Sequence, residues 1–300
     1  MTGPIVTVGV CVRNCTSTIR EAIESILAQD YPHELMEVIF VDDGSKDETL
    51  QIIKSYVSKM DIKAKIFHHK WRGLGFTRNV VINNASGKYI VWVDSDMILP
   101  KDYVRKMIRF MEENPKVGIA GGRFAPYHGS NLVEMLENIA YVAYSAKYGK
   151  KAKNLPGTGG AIYRVEAIKE VGGFDQHITG SAEDIDAALR IKSAGWLVCR
   201  DVAVFYEGVE KTWKELWDKY FWHGYGGHFT FHKHRSDVKI YWMIPPITFL
   251  VGLMYSAVAY KLTHRKIFFL LPLHYTFKRI AWCLGFLKAH INGYGHHCYE

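Results

Sequence analysis

Apolar and polar positions along the first hundred residues fall into two alternating rhythms. "PIVTVGVCV" (4–12) and "MEVIFVDD" (36–43) are short apolar runs rich in β-branched residues, and they read as strands. Between them, "TSTIREAIESILAQ" puts Ile19, Ile23, Ile26 and Leu27 on one helical face. "KDETLQIIKSYVSKM" predicts a second helix and "KAKIFHH" a third strand. "LGFTRNVVINNA" predicts a third helix ended by Gly87, and "KYIVWVD" a fourth strand. This alternation predicts an α/β fold with a mostly parallel central sheet and helices on its faces. Ligands of such sheets bind beyond the carboxyl ends of the strands, where "VDDGS" and "VDSD" both lie.

From about 101 to 235 the pattern loosens. A helix follows Lys101, "VGIAGG" reads as a strand, and a helix runs from Asn131 towards Lys147. The glycine-rich "LPGTGGAIYR" comes next, and then "SAEDIDAALRIKSAG", a helix in which Ile185, Leu189 and Ile191 are expected to face a core. Gly195 stops it. Residues 241–260, "YWMIPPITFLVGLMYSAVAY", contain no Asp, Glu, Lys, Arg or His, and about 20 such residues span a bilayer's hydrocarbon. Downstream, Leu270, Leu273, Phe277, Ile280, Leu284 and Leu287 recur at helical spacing, which suits an amphipathic interfacial helix as well as a second span. Lys233, Arg235 and Lys239 precede the first apolar segment, and Lys261, Arg265 and Lys266 follow it, so charge does not fix an orientation. The expected organisation is a catalytic domain over 1–235 and a membrane-associated helical segment over 236–300.

Composition narrows the partners. The chain of 300 residues is 48% apolar with a formal charge of +8, which points to an anionic partner. Nucleic acid is set aside, because there is no zinc-finger spacing, RNA-recognition signature or basic recognition helix. Cys11, Cys15, Cys199, Cys283 and Cys298 are dispersed without a C-x-x-C pair, which points to a reducing compartment rather than a disulfide framework. Met1 to Pro4 lead straight into the first strand with no signal peptide, so the catalytic part is expected on the cytoplasmic side, and the apolar segment 241–260 places the chain at the cell membrane.

Asp94 and Asp96 sit two apart at the end of an apolar strand and should face the same side. Two like charges there read either as a solvated turn or as ligands of a divalent cation. "VDDGS", "RGLGFTRN", "GKYIVWVDSDMILP", "GTGGAIYRVEAIKEVGGFD" and "SAEDIDAALRIKSAG", in this order, resemble the inverting glycosyltransferase family 2 over roughly residues 4–230. That resemblance implies the GT-A fold and a nucleotide-diphospho-sugar donor. It implies Mn²⁺ or Mg²⁺ on Asp94 and Asp96, with Asp94 and Ser95 also at the donor. Asp42 would accept from the base or ribose, Asp43 would support the pocket, and Arg13 and Asn14 would line it. Gly159 and Gly160 would let the donor sugar approach, and Arg78 would pair with phosphate or hold Asp94. Asp184 would be the base for the acceptor hydroxyl, with Glu183 orienting the acceptor or the helix start. The C-terminal apolar segments resemble those of members that act on lipid-linked acceptors.

Three departures from the family pattern matter. Relatives usually line the base pocket with Pro-Thr-Tyr-Asn, which this chain matches only in part. Many place a metal-completing His after the next strand, whereas this chain reads "AVFYEG", leaving Glu207 in that position. The Q-x-x-R-W pattern of processive synthases is replaced by "DKYFWHGYGG", which favours transfer of a single sugar. His223 in that stretch reads as an aromatic-rich helix residue before a diphosphate contact. His228, His232 and His234, like the pairs His68-His69 and His296-His297, read as polar and basic residues rather than metal ligands, since no acid or Cys joins them. The alternative to an enzyme is a non-catalytic, membrane-attached scaffold that binds nucleotide sugars.

Overall fold

A computed structural model describes residues 3–126, 130–148, 155–235, 237 and 240–295; Lys239, His296, His297 and Cys298 lie outside the described residues. The main sheet contains β1 (Val6–Val12), β2 (Met36–Asp43), β3 (Lys63–His69), β4 (Tyr89–Trp92), β6 (Val117–Gly121), β8 (Ala161–Arg164) and β9 (Leu197–Cys199), in the order β3-β2-β1-β4-β8-β6-β9. All neighbours are parallel except β8, which runs antiparallel to β4 and β6. The expected α/β class and mostly parallel sheet are therefore what the chain adopts. A smaller sheet joins β5 (Met97–Ile98), β10 (Val204–Glu207) and β7 (Arg123–Pro126) in the order β5-β10-β7.

The helices are α1 (Ile19–Leu27), α2 (Thr49–Val57), α3 (Leu74–Asn84), α4 (Tyr103–Glu113), α5 (Leu132–Tyr148), α6 (Val165–Glu170), α7 (Glu183–Ser193), α8 (Trp213–Lys233), α9 (Pro245–Thr263) and α10 (Leu271–Ile291). Strand β2 is buried on both faces. Val38 and Phe40 join a core with Ile19, Ile23 and Ile26 of α1, while Ile39 and Val41 join another with Val81 and Ile82 of α3. Helix α3 ends at Asn84, before Gly87. Gly87 instead permits a close approach, because a Cβ there would stand 2.6 Å from the Thr7 backbone nitrogen.

Helix α7 buries Ile191 as expected, but the rest of its inner face differs from the expected one. Ala187, Ala188 and Ile191 are buried, whereas Ile185 and Leu189 are only half-buried. Two acids turn inward as well: Asp186 pairs with Arg190 one turn on at 2.7 Å, and Glu183 pairs with Arg78. The partnered charges and small alanines make the inner face, a pairing that apolar spacing does not reveal.

The compact units do not follow a single cut at 235. One comprises Met1–Phe124, Lys153–Thr179 and Glu183–Glu207; the other comprises Ala125–Ala152, Gly180–Ala182 and Gly208–Glu300. The second takes in α5 and α8 for visible reasons. A Cβ on Gly224 of α8 would meet the Trp282 carbonyl oxygen of α10 at 1.9 Å, and one on Gly285 would meet the Phe221 carbonyl oxygen at 2.0 Å, so the two backbones touch. Glu137 of α5 accepts from His274 Nε2 (2.6 Å) and Lys278 Nζ (2.7 Å) of α10, all three side chains being buried. Helix α10 thus turns His274 and Lys278 inward, and Leu273, Ile280, Leu284 and Leu287 of the expected stripe are exposed. Helix α9 is long and apolar enough to cross a membrane, and its Phe249, Leu250 and Leu253 are exposed. Pro245 and Pro246 open α9, where a missing N–H costs nothing.

Candidate active site

Strands β1, β2 and β4 are parallel, with Val12 opposite Asp42 and Gly9 opposite Trp92, so their carboxyl ends share one edge. There the loops after β1 and β2 are clasped together. Asn14 N–H donates to Ser45 Oγ (2.9 Å), Lys46 N–H to Asn14 Oδ1 (2.8 Å), and Thr16 Oγ1 to Asp47. Asn14 holds a left-handed backbone (φ 51°), a conformation that asparagine tolerates. Arg13 is exposed, with its guanidinium carbon 5.5 Å from the ring centre of Trp71, which is 52% exposed.

Asp42 and Asp43 are both buried but differently engaged. Asp43 accepts from Arg72 N–H (2.7 Å) and Gly73 N–H (3.0 Å), fastening the loop that leads into α3. Asp42 Oδ1 accepts from Ser45 N–H (2.8 Å). Its Oδ2 is buried, lies 3.4 Å from His68 Nδ1, and accepts no hydrogen bond among the described residues. A buried, unsatisfied acceptor is costly, and a ligand donor removes that cost.

The acids after β4 and at α7 border one glycine-rich stretch. A Cβ on Gly157 would stand 2.8 Å from Asp184 Oδ2, and one on Gly159 would stand 3.0 Å from Asp94 Oδ2. Asp184 is oriented by the N–H of Thr158 (3.2 Å) on Oδ2 and its neighbour Ile185 (2.7 Å) on Oδ1. Gly160 is left-handed (φ 63°), and its carbonyl accepts from Tyr103 Oη, pinning the stretch from behind. Asp96 is exposed, and Met97, the residue after it, pairs with Glu207 across β5 and β10. Asp94, Asp96 and Glu207 each offer carboxylate oxygen, the donor type that Mn²⁺ and Mg²⁺ take. Ser95 is half-buried between the two acids.

Arg78 and Glu183 are spent on each other. Both are buried, the guanidinium carbon of Arg78 lies 5.6 Å from the Phe174 ring centre, and Glu183 Oε2 has no hydrogen-bond partner among the described residues. The pair anchors α3 to the first turn of α7, beside Asp184 rather than at the solvent edge. Ala182, just before the acid pair, has φ 78°, a left-handed strain for a residue with a Cβ. Burial pushes the Cys11 thiol up to about 12, and Cys15 is raised likewise, which disfavours their thiolates.

Two features escaped the sequence reading. Trp71, beside Arg13, had a signal in being a lone tryptophan between Lys70 and Arg72. In the helical unit His228 is fully buried, and its ring meets His232 and His290 rather than His234. His223 is exposed; its ring stacks on Tyr220 and meets Trp222 edge to face.

A family model described as glycosyl transferase family 2 matches residues 7–172, which carry β1 to β4, the aspartates after them and the glycine-rich stretch. The chain belongs to that family. The solved structure of the mannosyltransferase PcManGT from Pyrobaculum calidifontis, in complex with GDP-Man and Mn²⁺, shares the fold with a TM-score of 0.67 at 20% identity, covering 97% of this chain and 88% of that one. TarS 1–349 of Staphylococcus aureus in complex with UDP-GlcNAc gives 0.54 at 19% identity, covering 96% and 92%. The fold is thus GT-A. Among curated sequences, the poly(ribitol-phosphate) β-N-acetylglucosaminyltransferase TarS of S. aureus (strain Mu50) is 35% identical over 101 residues, 34% of this chain and 18% of that protein. The poly-β-1,6-N-acetyl-D-glucosamine synthase of Staphylococcus epidermidis is 27% identical over 184 residues, 59% and 43%. The match spans 15% of the length of an uncharacterized glycosyltransferase of Rickettsia felis, so it covers only a fraction of such relatives.

Proposed function

We propose that the chain is an inverting glycosyltransferase that moves a single sugar from a nucleotide-diphospho-sugar to a lipid-linked acceptor at a membrane. The observation that carries the reading is the stretch 157–160, with Asp94 against Gly159 and Asp184 against Gly157. A donor sugar laid over glycines meets no Cβ, and it has a carboxylate at either end. The Asp42 oxygen without a hydrogen-bond donor among the described residues suits a base N–H or ribose hydroxyl, and the exposed Arg13–Trp71 pair offers a flat stacking surface.

Asp94 and Asp96 would hold Mn²⁺ or Mg²⁺, with Glu207, on the strand paired with the one that follows them, as the proposed further ligand. Such an ion neutralises the charge that develops on a departing nucleotide diphosphate. Asp184 is held by two backbone N–H groups, one from the glycine-rich stretch, and so is fixed relative to the sugar. From there it takes the proton of an acceptor hydroxyl attacking opposite the leaving group. Where the acceptor is an already ionised lipid phosphate, Asp184 orients it instead. Glu183, bound to Arg78, sets the angle of the turn.

Membrane attachment rests on the reversed polarity of the helical unit. Glu137, His274 and Lys278 are paired inside, while Phe249, Leu250 and Leu253 of α9 and Leu273, Leu284 and Leu287 of α10 are exposed, the arrangement expected where lipid replaces water. The catalytic part would face the cytoplasm, with its reduced cysteines.

The test is a panel of UDP- and GDP-linked sugars with Mn²⁺ on the purified full chain, read by thermal stabilisation and release of the nucleotide diphosphate. One donor should stabilise the protein and be turned over. Stabilisation without any release, with or without polyprenyl phosphate, would favour the scaffold; neither response would end the proposal.

A further inference from the structure

The helical unit carries a second cluster of ligand-type atoms, unrelated in chemistry to the carboxylates of the active site. His228 and His232 stand one turn apart on α8, and His290 lies near the end of α10. Their nearest ring nitrogens all fall within 4.8 Å of one another. His232 Nε2 is 3.0 Å and His290 Nδ1 is 3.2 Å from His228 Nε2. His228 is completely buried, with Phe286 against its ring at 4.7 Å. Its Nδ1 lies 2.7 Å from the Tyr294 carbonyl oxygen. A carbonyl only accepts, so Nδ1 carries the proton and the neutral ring aims a bare Nε2 at the other two imidazoles.

That arrangement has a proton-counting problem. One lone pair on His228 Nε2 faces two nitrogens at hydrogen-bond distance, and it can accept a proton fully from only one of them. A cation at the common point satisfies all three nitrogens. With Zn–N bonds of about 2.0–2.1 Å, the nitrogens of a tetrahedral site stand about 3.4 Å apart, close to the two short separations here. A buried histidine whose other nitrogen donates to a backbone carbonyl is also the usual supporting shell of a metal ligand. His290 is exposed, so an ion can enter and a water can complete the shell.

We propose that His228, His232 and His290 form a site for a borderline divalent ion, Zn²⁺ by preference, that staples the last turns of α8 and α10. Three imidazoles without an oxygen ligand select Zn²⁺, Co²⁺, Ni²⁺ or Cu²⁺ over Mn²⁺ and Mg²⁺, the reverse of the carboxylate set. Binding requires one rearrangement. Arg235 Nη2 lies 3.1 Å from His232 Nδ1 and donates to it, so that ring holds its proton on Nε2. On binding, the Nε2 proton leaves, Nδ1 takes one up, and the exposed guanidinium turns aside. The ring stays neutral throughout.

Chelator-treated, untagged full-length protein in detergent should bind one equivalent of Zn²⁺ with a rise in Tm. With Co²⁺ it should give the intense visible absorption of a tetrahedral site, bleached by Zn²⁺ and not by excess Mn²⁺. His290→Ala alters an exposed side chain and so leaves the fold intact; with His232→Gln, it should lower Zn²⁺ affinity by more than about tenfold and abolish the cobalt band. His234→Ala should retain both. Absence of the band in the unaltered protein, or its persistence in both ligand variants, would overturn the site.

Discussion

Glu37 and Asp42 lie five residues apart on β2, both buried, at opposite edges of the sheet. At the amino edge, Glu37 Oε1 accepts from Thr7 Oγ1 (2.7 Å) and Ser86 N–H (2.5 Å), and its Oε2 lies 3.2 Å from Lys65 Nζ. Burial works against its charge, yet the donors from Ser86 and Thr7 and the Lys65 ammonium outweigh it and hold the carboxyl below its ordinary value. At the carboxyl edge, Asp42 keeps one buried oxygen without a hydrogen-bond donor among the described residues. Glu37 has its hydrogen bonds already made and serves the fold, whereas under the proposed function the short-handed Asp42 oxygen would serve the donor. Substitutions at the two edges should therefore separate activity from stability.

The largest effect belongs to Asp184→Asn, which should cut transfer by about 10²–10⁴-fold with donor affinity unchanged. Weakened donor binding with normal turnover would move Asp184 into the nucleotide pocket. Asp96→Asn should lower metal-dependent turnover by about 10²–10³-fold while Tm stays put. Retained turnover would remove the metal assignment. Glu37→Ala should act the other way, costing about 2–4 kcal/mol in urea unfolding with kcat intact in the folded fraction, because it removes the acceptor of Thr7 Oγ1 and Ser86 N–H and the carboxylate partner of Lys65.

Asp42→Ala should weaken donor binding by about 10–100-fold while stability moves by less than about 1 kcal/mol, since the lost acceptor was half unsatisfied. A stability loss matching that of Glu37→Ala would erase the contrast between the edges. The smallest effect is acid loosening of the clasp. Slight burial opposes the Asp47 charge, but hydrogen bonds from Thr16 and Thr49 prevail and place its carboxyl at about 2, below its ordinary 3.8. A depressed carboxyl stabilises fully above its unfolded value, so the contribution fades between about pH 4 and pH 2. Amide exchange of residues 13–16 should quicken across that window, and Asp47→Asn should remove the pH dependence.

The sequence by itself determined the strand–helix alternation and the edge where the acids gather, because strands of a parallel sheet end on one side and local periodicity records each of them. It also marked Asp94, Asp96 and the glycine-rich stretch as chemistry. Tertiary structure alone decided that Arg78 belongs to Glu183, that α10 turns His274 and Lys278 inward and Leu273, Leu284 and Leu287 outward, and that His228 meets His290. Those outcomes depend on pairings between residues 62 to 141 positions apart, such as Glu137 with Lys278. No local spacing encodes them; they follow from which buried charge finds a partner once the backbones have closed on their glycines.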